Sequence, residues 1–83
     1  MKTIVLTSAA AKDLDALPIE ARNAIVRALS AYAIDGTGDI KALNGRPGYR
    51  MRIGQYRVIF NEDRTTILAV YIGRRATTTY GRI

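Results

Sequence analysis

The chain begins with a short apolar run and then changes to helical spacing. Residues 4–6 are consecutive bulky apolar side chains after a polar start, so residues 2–7 are predicted to form a strand. Thr7 or Ser8 can cap the helix that follows, because a hydroxyl oxygen can accept a free N–H at a helix start. Residues 9–17 are rich in alanine and have apolar side chains at helical spacing, which indicates a first helix.

A second helix is predicted directly after the first. Pro18 ends the first helix and is a favoured residue at the start of another. The second helix has a single apolar stripe, made of Ile25, Ala28, Leu29, Tyr32 and Ala33. Gly36 and Gly38 are expected to stop it. Because the connection between the two helices is so short, we expect them to form an antiparallel hairpin.

From Lys41 onward the pattern changes to that of β structure. Residues 44–48 are dense in turn-forming types, and an alternating segment follows them. Its two faces carry Tyr49, Met51 and Ile53 on one side and Arg50 and Arg52 on the other. Gly54 and Gln55 can form a two-residue turn with glycine first, after which residues 56–60 run back as the second strand of a hairpin.

The last predicted strand is continuously apolar. Residues 61–66 are polar and indicate a turn, and residues 67–72 are apolar without interruption, which is typical of a central strand covered on both faces or nearly so. To form a core, the helices must cover one face of the sheet. The pattern therefore predicts an α+β fold with the order β-α-α-β-β-β, in which a helical hairpin packs on a small, mostly antiparallel sheet. Residues 1–83 are predicted to be a single domain.

The composition excludes several kinds of catalytic group and binding site. The sequence contains no cysteine and no histidine, which excludes disulfides, a thiol nucleophile, an imidazole base and the usual zinc sites. Any reaction must rest on arginine, lysine, tyrosine or carboxylates, and we expect neither a metal ion nor a cofactor. The short apolar run near the start fits neither a signal peptide nor a membrane span, so the sequence predicts a cytoplasmic location without a membrane partner.

The net charge of +6 arises in the second half of the chain. Residues 1–45 carry five basic and five acidic side chains, whereas residues 46–83 carry eight basic and two acidic ones. All eight of those basic residues are arginines. Because the planar guanidinium group can bind phosphate in bidentate geometry, an excess of arginine favours a polyanionic partner. A basic surface that serves only solubility is the alternative.

The predicted turn also determines how the hairpin strands pair. The expected pairs are Ile53 with Tyr56, Arg52 with Arg57, Met51 with Val58 and Arg50 with Ile59. Like charges directly opposite each other cost roughly 0.2–1 kcal/mol. An anion such as a phosphodiester between the guanidinium groups would remove that cost, and side chains screened by water are the alternative reading.

Three segments and one tyrosine carry a resemblance to a known family. They are residues 43–45 (LNG), residues 49–60 (YRMRIGQYRVIF), residues 70–75 (VYIGRR) and Tyr80. Together with the order of elements, they resemble the RelE/ParE toxins of bacterial type II toxin–antitoxin systems over nearly the whole chain. The segment at 49–60 is the most specific part of this resemblance, and the helical half carries little of it.

The resemblance implies a ribosome-dependent mRNA endonuclease that inhibits translation in stress responses. Such toxins are held inactive by a partner antitoxin, here expected to be acidic and partly disordered when free. The expected catalytic residues are Arg57, Arg75 and Tyr80, and the expected substrate-binding residues are Arg50, Arg52 and Arg74. Arg74 is included because it adjoins Arg75 after the last strand.

The chain departs from the RelE pattern in two places. Arg50 and Arg52 stand where the best-known member has lysines, and arginine is too basic to accept a proton at neutral pH. Tyr80 is therefore the expected base or stacking platform, although the usual acidic residue before it is absent. ParE-like members share the fold, lack the catalytic set and inhibit DNA gyrase. Gyrase inhibition and inert nucleic-acid binding are therefore the alternative functions.

Overall fold

A computed structural model describes residues 1–75 of the chain. Two helices and five strands follow one another in this part. The elements are β1 (Thr3–Leu6), α1 (Ser8–Asp15), α2 (Ile19–Asp35), β2 (Asp39–Ala42), β3 (Tyr49–Ile53), β4 (Tyr56–Glu62) and β5 (Thr66–Arg74). The predicted α+β class is confirmed, and the structure adds one strand, β2, to the predicted order.

The helix boundaries follow from the capping residues. The hydroxyl oxygen of Thr7 accepts the backbone N–H of Ala10 at 3.1 Å and so caps α1. Pro18 precedes the first residue of α2, and Gly36 ends that helix in the left-handed conformation with φ 77°. The cap at Thr7 and the end of α2 at Gly36 agree with the prediction, whereas α1 ends at Asp15, before the predicted end at Leu17, and α2 begins at Ile19 rather than at Pro18. Neither helix is long and apolar enough to cross a membrane within the described residues.

All five strands belong to one sheet. Their order is β1-β5-β4-β3-β2, with β1 parallel to β5 and every other neighbouring pair antiparallel. The unpredicted strand β2 lies at the edge, paired with β3, and Ile40 is its one bulky apolar residue. Short, polar edge strands are common because they do not invite pairing with another chain.

The helices pack on one face of the sheet, α1 mainly against β5 and α2 against β1 and β3. Both helices contact the sheet more extensively than they contact each other. The largest side chains buried between these layers are Phe60, Ile25, Met51, Ile67 and Val58. On the other face Leu68 is only partly buried and Tyr71 is 41% exposed. The expectation that β5 is covered on both faces or nearly so was therefore wrong for the described residues, although β5 is an interior strand of the sheet, between β1 and β4.

A polar anchor closes one end of this core. The Glu62 carboxylate accepts hydrogen bonds from Lys2 Nζ and from Tyr32 Oη, each at 2.7 Å. Burial and the hydrogen bond to Glu62 raise the pKa of Tyr32 to about 12. Burial alone would raise the pKa of Glu62, but the two hydrogen bonds outweigh it and lower that pKa below its ordinary value. The anchor thus connects the residue before β1 with α2 and β4 through one ionised carboxylate.

Replacing Glu62 by glutamine is expected to lower the free energy of unfolding at neutral pH by about 1–3 kcal/mol, because two hydrogen bonds lose their charged acceptor. A lowered pKa in the folded state stabilises the protein above the pKa of the unfolded chain, and this contribution is lost as the pH falls through the folded value. The difference between wild type and Glu62→Gln should therefore shrink in acid. Urea titrations over a pH series measure it.

Glu20→Gln is the matched control, because Glu20 is exposed in the first turn of α2. We expect that variant to change stability by no more than about 1 kcal/mol. If wild type and Glu62→Gln are equally stable at neutral pH, the anchor does not contribute to the free energy of unfolding.

Candidate functional site

The β3–β4 hairpin has the predicted register throughout. Arg52 pairs with Arg57, and Arg50 pairs with Ile59. Gly54 has φ 57°, and no residue other than glycine has a positive φ in the described part of the chain. Gly54 and Gln55 therefore have the φ signs of a type II′ turn, which suits the twist of a hairpin. The register that this turn sets places Arg50, Arg52 and Arg57 on one face of the sheet, opposite the face that packs on the helices.

Two rows of side chains cross this open face of the sheet. The strand registers define the first row as Asp39, Arg52, Arg57 and Gly73, and the second row as Lys41, Arg50, Ile59 and Tyr71. We call the cations of these rows, Lys41, Arg50, Arg52 and Arg57, the basic patch. Sequence reasoning missed Lys41 because it did not predict β2. The alternation of Asp39, Lys41 and the single apolar Ile40 was the only available signal.

A bulge in β5 decides which of its side chains reach the open face. Ile59 pairs with Tyr71 and Phe60 with Ala69, so Val70 is an extra residue between the two pairs. Simple alternation from the buried Ala69 would turn Tyr71 toward the helices; after the bulge Tyr71 is exposed and the next residue is buried instead. The bulge therefore directs Tyr71 and Gly73, the residue paired with Arg57, to the open face.

Helix α1 supports the strand just after the bulge. The backbone N–H of Ile72 donates to Asp13 Oδ2 at 3.1 Å. This contact joins residues that are far apart in the sequence, and it gives Ile72 N–H a partner beyond Ala69, where the pairing of β5 with β1 has ended. Asp13 thereby helps to hold the segment that follows the bulge in place against β4.

The two arginines at the end of β5 lie in different places. Arg75 lies beside the hairpin turn, because its backbone N–H donates to Gln55 O at 2.8 Å and its Nη1 donates to Gly54 O at 3.2 Å. Arg74 pairs with Tyr56, and its Cζ lies 5.6 Å from the centre of the Tyr56 ring, which packs on the core. Arg74 is thus on the helix side of the sheet, away from the basic patch. Tyr80 lies outside the described residues.

Ion pairs within residues 1–75 neutralise only a small part of the charge of the basic patch. Arg52 Nε lies 3.3 Å from Asp39 Oδ2, with side chains 40% and 61% exposed, and such pairs contribute about 0–1 kcal/mol. Within residues 1–75, Arg50 and Arg57 form no ion pair, and their Nε atoms have no hydrogen-bond partner. No acidic residue follows Asp63 in the sequence. The protein therefore supplies little countercharge to these guanidinium groups.

This arrangement is suited to binding an extended phosphodiester. Guanidinium groups donate paired hydrogen bonds to phosphate oxygens, and a bound anion would relieve the repulsion between the facing pair Arg52 and Arg57. The described residues contain no group of three or more side chains that could hold a metal ion. What the patch can contribute by itself is charge stabilisation and orientation.

Comparison with known proteins agrees with this architecture. No protein-family model and no curated protein sequence matches the chain. Among solved structures, the isolated RelE toxin of Escherichia coli has a TM-score of 0.78 at 14% identity, covering 98% of this chain and 93% of that chain. The archaeal RelE–RelB complex from Pyrococcus horikoshii has a TM-score of 0.75 at 21% identity, with 92% and 97% covered. The toxin–antitoxin complex RelBE2 from Mycobacterium tuberculosis gives 0.70 at 25% identity, with 89% and 98% covered.

Proposed function

We propose that the chain is the toxin of a type II toxin–antitoxin module and that it cleaves mRNA on the ribosome. It has the fold of the RelE toxins, as its sequence resemblance to the RelE/ParE family predicts. The observation that carries this proposal is the basic patch: Arg50 and Arg57 lie on the open face of a RelE-type sheet without a carboxylate partner among the described residues. A fold that supports several functions does not decide between them, so the nuclease proposal depends on this patch.

The reaction we propose is attack of a ribose 2′-oxygen on the adjacent phosphorus. The 2′-OH loses its proton to a base, the new P–O bond forms, and the bond to the 5′-oxygen breaks as that oxygen takes up a proton. The products are a 2′,3′-cyclic phosphate and a 5′-OH. Arg57 and Arg75 would stabilise the negative charge that develops on the phosphorane oxygens, as preorganised donors do.

The remaining cations would orient the substrate. Arg50, Arg52 and Lys41 form one side of the basic patch and would hold the RNA backbone across β2 and β3. Arginine stays protonated at neutral pH, so none of the patch arginines can take the 2′-proton. Tyr80 remains the expected base or stacking platform. Because such groups are weak catalysts, substrate geometry supplied by the ribosome would account for much of the rate.

An acidic antitoxin is the expected partner. The chain carries a net charge of +6, and several of the structural neighbours are RelE toxins bound to RelB antitoxins. An acidic segment that orders on binding would neutralise the basic patch and block it from RNA. Ribosome, mRNA and antitoxin all meet such a toxin in the cytoplasm, where we propose that this protein acts.

Mapping mRNA 5′ ends after induction in a bacterial host tests the proposal. We expect new 5′ ends bearing hydroxyl groups inside translated regions, and their loss when translation initiation is blocked. Intact mRNA together with DNA breaks and filamentation would assign the chain to the gyrase inhibitors. Intact mRNA and intact DNA, with RNA binding that weakens steeply as salt rises, would indicate an inert nucleic-acid-binding module.

A further inference from the structure

Within residues 1–75, Tyr71 is the one aromatic residue that lies on the open face of the sheet. The other described aromatic residues, Tyr32, Tyr49, Tyr56 and Phe60, all belong to the core or pack against it. Tyr71 is instead 41% exposed and lies next to the basic patch, in the row that contains Arg50. It owes this position to the bulge in β5. Neither the charge pattern nor the family resemblance selected it.

Gly73 leaves room for the Tyr71 ring. A Cβ atom built on Gly73 would overlap the Tyr71 hydroxyl and lie 2.7 Å from Tyr71 Cζ and 3.1 Å from Cε2. The ring therefore lies along the strand, over the place that a side chain at position 73 would occupy. Gly73 is also the residue paired with Arg57. The absence of a side chain there brings the ring to the flank of that arginine.

The contact with Arg57 sets the ring beside the phosphate-binding group. Arg57 Cζ lies 5.9 Å from the centre of the Tyr71 ring, within the range of a cation–π interaction. Proteins that bind single-stranded nucleic acid combine cationic groups for the backbone with aromatic rings on which bases stack. An arginine and an adjacent ring can therefore bind the phosphate and a base of the same strand.

We propose that Tyr71 is a stacking platform for a base of single-stranded RNA whose backbone is held by Arg57. This inference rests on the proposed function, because it requires RNA on the open face of the sheet. Tyr71 positions the nucleotide and takes no part in the proton transfers. Gly73 serves the platform by leaving space for the ring, so a side chain at position 73 would displace the ring from the flank of Arg57.

Binding of short fluorescein-labelled single-stranded RNA, followed by anisotropy at low salt, tests the platform. Tyr71→Phe keeps the ring and should bind within about twofold of wild type, whereas Tyr71→Leu should bind about tenfold more weakly. Leu68→Ala is the control, because Leu68 is a partly buried residue earlier on the same strand, outside the basic patch. It should bind as wild type does. Equal losses in Tyr71→Phe and Tyr71→Leu would overturn stacking in favour of the hydroxyl.

A second readout does not depend on a folded variant. Wild-type protein is irradiated with RNAs that carry a single 5-iodouridine at successive positions, and the crosslinked peptide is sequenced. A crosslink at Tyr71 is expected, and crosslinks confined to other residues would overturn the platform. If wild type and Arg57→Ala bind RNA equally, Arg57 does not hold the backbone and the platform is overturned, whereas the proposed function itself fails only if induction leaves mRNA intact. If Arg57→Ala loses affinity for RNA and Tyr71→Leu binds RNA as wild type does, the platform alone is wrong. A loss of antitoxin binding by Tyr71→Leu would not change that conclusion.

Discussion

Replacing Arg57 by alanine is expected to abolish growth arrest and to lower the rate of mRNA cleavage by about 10²–10³. Arg57 is in the middle of the first row of the open face, opposite Arg52 on β3 and Gly73 on β5. It has no ion pair within residues 1–75, so its removal leaves no buried carboxylate without a partner. The fold should therefore survive, with a stability cost of about 1 kcal/mol from the lost contact with Tyr71. Induced growth curves and single-turnover cleavage on programmed ribosomes measure the two effects.

Arg64→Ala is the matched control for this prediction. Arg64 is an exposed arginine in the turn between β4 and β5, roughly 20 Å along the strand from Arg57, and its removal changes the net charge by the same amount. It should arrest growth as wild type does. Arg57→Lys keeps the charge but loses the bidentate geometry, so we expect an intermediate rate. Full growth arrest by Arg57→Ala would remove the physical basis of the nuclease proposal.

The sequence predicts the hairpin because its register depends on local chemistry. Gly54 accepts a positive φ, the turn has two residues, and every pair of β3 with β4 then follows. The helices are predictable for the same reason, since their caps at Thr7 and Gly36 and the apolar stripe between them are short-range features. The family resemblance adds the order of the elements, which local patterns alone would leave open.

Features that depend on contacts between distant segments were beyond sequence reasoning. Strand β2 has four residues and exists through its pairing with β3, so its side chains alone gave little signal. The bulge at Val70 lies in a continuously apolar segment, in which a shift of one residue leaves no trace in the pattern. Because of that shift, Tyr71 lies on the open face of the sheet and Arg74 lies on the helix side. The candidate site was thus predictable on β3 and β4 and unpredictable on β2 and β5.

Phe60→Ala is expected to cost about 3–5 kcal/mol in the free energy of unfolding. Phe60 is fully buried, and its ring centre lies 5.5 Å from that of Tyr32 and 5.6 Å from that of Tyr49. The substitution would open a cavity between α2 and the sheet beside the bulge, where Phe60 pairs with Ala69. In a domain of this size, 1 kcal/mol changes the Tm by about 4–8 °C, so a decrease of about 15 °C or more is expected. Thermal unfolding followed by circular dichroism measures it.

Ile59→Ala is the matched comparison, because Ile59 and Phe60 are neighbours on β4 that lie on opposite faces of the sheet. Ile59 is only partly buried and lies on the open face, so its truncation removes less apolar contact and should lower the Tm by less than half as much. Because total stability of small domains is about 5–15 kcal/mol, Phe60→Ala should also weaken growth arrest through loss of folded protein. Equal losses of Tm in the two variants would contradict a core that lies on one side of the sheet, and with it the open face on which the basic patch depends.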